Sequence, residues 1–235
     1  MLINIKIKNE EDILVESSNI RMYPVENRFS KKFILKDCSY LKDIEKVFID
    51  FDFVFFIIEV LNKHNESAIM YSFNFRIEDF KINQNNIHLL GVPIIDYDAN
   101  NYDQNVIDIF MKWSEDKVIP FLSLDDDYKK SYNYSCLIWS GAPDEFNDSS
   151  YNIDLSLVKS DIDFYNMMGD YFFGNRGYFG HDSYSFEDIL DSINRNLKEK
   201  IIIVFKRYSE ISFQDKIFID KIIRKKYQNI KFEIY

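Results

Sequence analysis

The first 150 residues alternate between apolar and polar positions mainly with the period of β-strands. Leu2–Lys8 alternates strictly, and Val47–Leu61 and Ala68–Ile77 predict two long strands that the polar segment Asn62–Glu66 joins as a hairpin. A further short strand is predicted at Cys136–Trp139. Since a hairpin pairs its strands in opposite directions, we expect an antiparallel sheet.

One stretch in this half has the period of a helix. Between Asn105 and Lys117, apolar residues recur at i, i+3, i+4 and i+7, as Val106, Ile109, Phe110 and Trp113. This spacing places them on one stripe of an amphipathic helix. Residues 1–140 are therefore predicted to form an α+β domain with an antiparallel sheet.

The rest of the chain alternates strands with helices. The predicted strands are Asn152–Val158, Lys200–Lys206 and Ile230–Tyr235. The first predicted helix is capped at Ser160–Asp161. The second carries the apolar stripe Phe186–Leu197, and the third carries Phe213. The β-branched run in the middle strand is typical of a strand buried on both faces. Residues 151–235 are therefore predicted to form an α/β domain with a small three-stranded parallel sheet and helices.

The turn-rich segment Ser140–Ser150 is the predicted linker between these two domains. Residues 151–235 contain 13 basic and 13 acidic residues, so the formal net charge of −10 belongs entirely to residues 1–150. This excess of negative charge argues against direct binding of nucleic acid and favours a basic partner.

The chain carries no sequence signal for a membrane or an oxidising compartment. Its longest apolar run, Phe53–Ile58, is too short to cross a bilayer, and its N-terminal residues lack the continuous apolar core of a signal peptide. Cys38 and Cys136 are far apart and are expected to be reduced thiols. We therefore expect a cytoplasmic protein.

The segment between the first two helices of the second domain is unusually rich in glycine and aromatic residues. It holds Gly174, Gly177 and Gly180, three of the six glycines in the chain. Glycine adopts positive φ without steric cost, so we predict sharp turns here, with Tyr178 and Phe179 displayed to a partner. The alternative interpretation is that this loop covers the end of the small sheet.

The following helix has a polar face opposite its apolar stripe. Tyr184, Glu187, Asp188 and Asp191 fall at i, i+3, i+4 and i+7 and share this face. Residues 151–195 have a net charge of −5, whereas residues 196–235 have +5. The face is predicted to meet a basic partner, and the alternative is an ordinary solvated face. Asp182 or the serine after it is expected to cap the helix.

No catalytic, nucleotide-binding or cofactor-binding motif is present in the sequence. His64 and His88 have no partner four residues away, and Asp125–Asp127 lacks the spacing of a calcium loop, so we expect no metal site. The remaining enzyme hypothesis places chemistry in the first domain, on Asp50 and Asp52 or on the 125–127 cluster.

Residues 151–235 resemble the barstar family of intracellular ribonuclease inhibitors. The resemblance is carried by the order of elements and by two stretches, Gly177-Tyr178-Phe179-Gly180 and Phe186-Glu187-Asp188-Ile189-Leu190. Asp188 matches an aspartate of the family's helix. Asp182, Ser183 and Tyr184 stand where the family typically has asparagine, leucine and aspartate.

The resemblance implies an immunity protein, or antitoxin, that blocks the basic active site of a nuclease toxin of the ribonuclease class. Its interface core would consist of Tyr178, Phe179, Gly180, Asp182, Tyr184 and Asp188, with Glu187 and Asp191 at the rim. The alternative is a non-inhibitory adaptor that binds another protein through the same surface.

Overall fold

The computed structural model describes residues 2–9, 12–25, 29–40, 43–94, 102–143, 145–146 and 148–235. The chain divides into two compact units, Met1–Ile119 and Pro120–Tyr235. None of the helices in the described part of the chain is long and apolar enough to cross a membrane.

The first unit is built on an eight-stranded sheet in the order β3-β4-β8-β7-β6-β1-β2-β5. All neighbouring strands pair antiparallel, as predicted. The strands are β1 Ile3–Asn9, β2 Asp12–Ser17, β3 Asn19–Pro24, β4 Lys31–Lys36, β5 Ser39–Tyr40, β6 Phe53–Leu61, β7 Ser67–Asn83 and β8 Asn86–Pro93. Helix α1 spans Ile44–Asp50 and helix α2 spans Gln104–Ser114.

The core of the first unit lies between one face of this sheet and α2. Phe56 and Phe73 stack across β6 and β7 with ring centroids 5.1 Å apart, and both side chains are fully buried. The predicted stripe on α2, from Val106 to Trp113, is buried as well. Arg21 on β3 and Asp108 on α2 form an ion pair of 2.6 Å, which fixes the helix to the sheet.

The prediction of one strand from Val47 to Leu61 is wrong at its beginning. α1 occupies the first part, because Ile44 and Phe48 lie one helical turn apart and are both buried. Asp50 ends that helix and Asp52 lies in the bend before β6, so the two aspartates named by the enzyme hypothesis do not share a strand face.

The second unit contains a three-stranded parallel sheet in the order β11-β10-β9, with helices, as predicted. Its elements are α3 Asp126–Ser140, β9 Ser150–Asp154, α4 Asp161–Phe173, α5 Ser183–Asn196, β10 Ile201–Lys206, α6 Lys216–Arg224 and β11 Ile230–Ile234. The central strand is not buried on both faces. Ile203 is fully buried, but its neighbour Ile202 on the opposite face is 39% exposed.

The boundary between the units lies earlier than the predicted linker, because α3 belongs to the second unit. Cys136–Trp139, predicted as a strand, is the last part of this helix. The buried side chain of Lys129 on α3 forms an ion pair of 2.8 Å with Asp163 on α4. The predicted linker also packs within the second unit, since the Phe146 ring lies 4.8 Å from that of Phe172. Residues 144 and 147 of that linker lie outside the described residues.

Candidate protein-binding site

The aromatic residues of the glycine-rich loop are part of the core. Phe179 is fully buried, with its ring centroid 4.9 Å from those of Phe172 on α4 and Phe186 on α5. Tyr178 is 4% exposed, and burial raises its pKa to about 12. The prediction that Tyr178 and Phe179 are displayed to a partner is therefore wrong. Gly180 is buried too, so the loop packs into the core against α4 and α5.

The glycines of this loop have two different roles: they allow sharp turns and close backbone packing. Gly174 and Gly180 have φ of 78° and 96°, the positive values predicted for sharp turns. Gly177 has no such conformation but permits close backbone packing. A Cβ atom on Gly177 would lie 2.3 Å from the carbonyl oxygen of Gly169 on α4. The loop therefore packs backbone to backbone on this helix.

Helix α3 holds the loop from another side. The buried Asn133 side chain donates from Nδ2 to the carbonyl oxygen of Gly180 over 2.8 Å. The Arg176 guanidinium lies 5.1 Å from the centre of the Trp139 ring, a cation–π distance. Sequence analysis missed these contacts, because Cys136–Trp139 was predicted as a strand.

The start of α5 is fixed by a capping box. The Ser185 N–H donates to Asp182 Oδ1 over 2.7 Å, and the Asp182 N–H donates to Ser185 Oγ over 3.1 Å. Partial burial opposes ionisation of Asp182, but the hydrogen bonds from Ser185 outweigh it, and the pKa of this carboxyl is lowered. Asp182 is thus the helix cap that was expected, and its carboxylate already accepts hydrogen bonds within the chain.

A second carboxylate supports the same helix end. Asp215 Oδ2 accepts a hydrogen bond of 2.6 Å from the Tyr165 hydroxyl and one of 3.2 Å from the Ser183 N–H. The Asp215 N–H in turn donates to Asp161 Oδ1 over 2.7 Å. These bonds join the first turn of α5 to α4 and to the residue before α6, so α5 begins from a rigid base.

The polar face of α5 is exposed where its apolar stripe is buried. Tyr184 is 72% exposed, and Asp188, one turn further along, is also exposed. On the opposite side of the helix, Phe186, Leu190 and Ile193 are buried. Asp188 makes no hydrogen bond or ion pair with any residue that the structure describes. These two side chains are therefore available to a partner.

The other two carboxylates of this face are paired within the chain. Lys225, the residue after α6, places its Nζ 2.9 Å from Glu187 and 2.8 Å from Asp191. The hydrogen bonds to Asp191 and Glu187 raise the pKa of Lys225. Sequence analysis missed this cation because it lies 34 residues or more along the chain from its partners.

His181 adds an exposed imidazole beside the same helix end. Its Nδ1 lies 2.8 Å from the Tyr178 hydroxyl, and its Nε2 lies 3.6 Å from Asp182 Oδ2. The ring is held in place by a buried residue while most of the side chain remains exposed. We define the α5 face as Tyr184, Glu187, Asp188 and Asp191, with His181 beside it.

The acidic cluster considered for catalysis or metal binding has a local structural role. Asp125 caps α3 by accepting a hydrogen bond of 2.8 Å from the Tyr128 N–H, and Asp126 and Asp127 lie in the first turn. Carboxylates are favourable there because they face the positive end of the helix dipole. Cys38 and Cys136 are free, buried thiols, and the described part of the chain contains no cluster of three or more His, Cys, Asp or Glu side chains that could hold a metal ion.

No protein-family model matches this chain, and no curated protein sequence matches it.

Proposed function

We propose that this protein is a barstar-like immunity protein, which binds a nuclease toxin of the ribonuclease class and blocks its basic active site with the α5 face. The observation that carries the proposal is an exposed tyrosine and aspartate, Tyr184 and Asp188, on a helix whose first turn is fixed by a capping box. The element order β9-α4-α5-β10-α6-β11 and the parallel sheet also fit the resemblance to the barstar family.

The chemistry of such an inhibitor requires a carboxylate that is held ready for cations. A ribonuclease gathers arginine, lysine and histidine around the phosphate of its substrate, and a rigid carboxylate can take the place of that phosphate. Asp188 offers an exposed carboxylate on a fixed backbone, because its helix packs on the core through Phe186 and Leu190. A group on a fixed backbone loses less entropy on binding than one on a mobile segment.

The proposed interface is smaller than the one that the sequence predicted. Tyr178, Phe179 and Gly180 are buried and support it from beneath, while Asp182 caps the helix. Tyr184 takes the role of the aromatic anchor that was assigned to the loop, since large exposed tyrosines often carry much of the binding free energy.

Co-expression with candidate nuclease toxins from the same genome tests this function. We expect the chain to rescue cells from one such toxin and to co-purify with it in a stable complex. The proposal would be contradicted if the chain neither rescued cells from any secreted or contact-delivered nuclease of that genome nor co-purified with one.

The pairing of Glu187 and Asp191 with Lys225 favours a second candidate, a non-inhibitory protein-binding adaptor. Only Asp188 then presents an unpaired carboxylate on the α5 face, and the surface is less anionic than its sequence indicates. An adaptor would co-purify with a partner without changing any nuclease activity, so the two functions are distinguished in the same co-expression experiment.

Lys225→Gln is expected to strengthen binding of a basic partner by about two- to fivefold, because it frees Glu187 and Asp191. Exposed ion pairs contribute up to about 1 kcal/mol each, which limits the gain. Lys226→Gln is the matched control, since the adjacent Lys226 is exposed and forms no ion pair with a described residue. The dissociation constants of both variants, measured by calorimetry at one salt concentration, check this. A Lys225→Gln variant that binds no more tightly than Lys226→Gln would show that the lysine does not compete with the partner.

A further inference from the structure

A groove of about 420 Å³ lies at the amino-terminal edge of the small parallel sheet. Ten residues line it: Lys200, Ile223, Lys225, Lys226, Tyr227, Gln228, Asn229, Ile230, Lys231 and Phe232. Four of them are lysines and none is acidic, although the chain has 39 acidic and 29 basic residues in total. The groove is therefore a local reversal of the charge of the protein.

The lysines of this groove differ in how they are neutralised. Lys225 is paired with Glu187 and Asp191, and Lys231 lies 2.7 Å from Glu233. Lys200 and Lys226 are exposed and form no ion pair with a described residue. These two unpaired ammonium groups leave positive charge at the groove, which an anion can neutralise.

Two aromatic rings add apolar surface to the groove. Tyr227 and Phe232 both line it. The Tyr227 ring lies edge-on to that of Phe232, with centroids 6.1 Å apart. The same wall thus places apolar ring surface beside the lysines.

The backbone around the groove is fixed to neighbouring elements. The Asn229 side chain donates from Nδ2 to the carbonyl oxygen of Leu197 over 2.9 Å. The backbone N–H of Asn229 donates to Asn194 Oδ1 over 3.0 Å. The Asn229 carbonyl accepts from the Ile201 N–H over 2.8 Å, at the start of β10. The groove is therefore formed before any ligand arrives.

We propose that this groove binds a small phosphate-bearing ligand, with the phosphate on the lysines and its organic group against the Tyr227 and Phe232 rings. Its volume lies within the range of about 300–1,000 Å³ that is usual for sites of small ligands. Lysine is a common phosphate-binding residue, and aromatic rings favour a ligand that carries an organic group on its phosphate. A nucleoside monophosphate and free inorganic phosphate share this chemistry. The groove adjoins the α5 face, since Lys225 lines the groove and pairs with Glu187 and Asp191, but the proposal does not depend on nuclease inhibition.

Calorimetric titration of the full chain at low salt, with AMP and with inorganic phosphate as the probes, tests this proposal. We expect both probes to bind, and binding tighter for AMP would show that the rings contribute. Lys200→Gln combined with Lys226→Gln should weaken binding at least about tenfold, since each hydrogen bond to a charged group contributes more than a kcal/mol. The matched control combines Lys63→Gln with Lys81→Gln, two exposed lysines of the first unit, and should leave the affinity nearly unchanged.

The melting temperature separates ligand binding from folding. All four substituted lysines are exposed, so both double variants should keep the Tm of the free chain. The proposal is overturned if neither probe binds at millimolar concentration, or if the two lysine pairs behave alike.

Discussion

Replacing Phe179 with alanine is expected to lower the free energy of unfolding by about 3–5 kcal/mol, the usual cost of deleting a large buried ring. The Phe179 side chain is fully buried, and its ring centroid lies 4.9 Å from Phe172, 5.3 Å from Phe173 and 4.9 Å from Phe186. The loss would leave a cavity where the loop meets α4 and α5. Chemical denaturation of the full chain, followed by near-UV circular dichroism, measures the change.

Tyr184→Ala is the matched control for this substitution. Tyr184 is also aromatic and close in sequence, but it is 72% exposed, so its loss should change the stability by no more than about 0.5 kcal/mol. If Phe179→Ala left the unfolding curve unchanged while abolishing binding of the partner, the loop would be a display loop after all.

Replacing Lys129 with methionine is the second substitution with a large expected effect, a loss of about 3–5 kcal/mol. Asp163 is 2% exposed at its side chain, and Lys129 Nζ lies 2.8 Å from its Oδ1. Without this lysine, the buried carboxylate would keep, among the described residues, a single hydrogen bond of 3.1 Å from the Lys159 N–H. The large cost arises from that unpaired charge and not from the net strength of the pair.

Lys130→Met is the control at the neighbouring position of α3. The Lys130 side chain is 70% exposed and lies 3.4 Å from Asp127, which is 89% exposed, so its removal should cost about 0.5 kcal/mol or less. Equal unfolding midpoints for Lys129→Met and Lys130→Met would mean that α3 does not pack on α4 as described. The boundary of the second unit would then lie after residue 140, as the sequence predicted.

The sequence predicted those elements whose burial follows a simple period. The strands joined at Asn62–Glu66 form the expected hairpin, closed by a hydrogen bond of 3.0 Å from the Asn62 N–H to the Glu66 carbonyl. The amphipathic helix at 105–117 is α2, and both sheets have the predicted strand directions.

Helix α3 was missed because polar residues occupy its buried stripe. Lys129, Tyr132, Asn133 and Cys136 follow the helical period, but two of them are polar and indicate a surface when they are read alone. Their burial depends on Asp163 and on the Gly180 carbonyl, which lie far along the chain. No local pattern contains that information.

The candidate site was predicted only in part, because some of its contacts also join residues that are far apart in the sequence. The spacing of Tyr184 and Asp188 correctly indicated an exposed helix face. Glycine and aromatic content could not distinguish a displayed loop from a packed one, because both need turns and large side chains. The close approach of the Gly169 and Gly177 backbones shows that this loop is packed, and only the fold brings these two glycines together.

The most direct test of the proposed inhibition is a titration of the purified nuclease toxin with this protein, in which the remaining nuclease activity is measured. Glu199→Gln, an exposed change outside the α5 face, should inhibit like the natural protein. The double variant Tyr184→Ala with Asp188→Asn should need at least about a hundredfold more protein, since interface anchors and charge pairs each contribute about 2 kcal/mol or more. Equal inhibition by both variants would contradict the account.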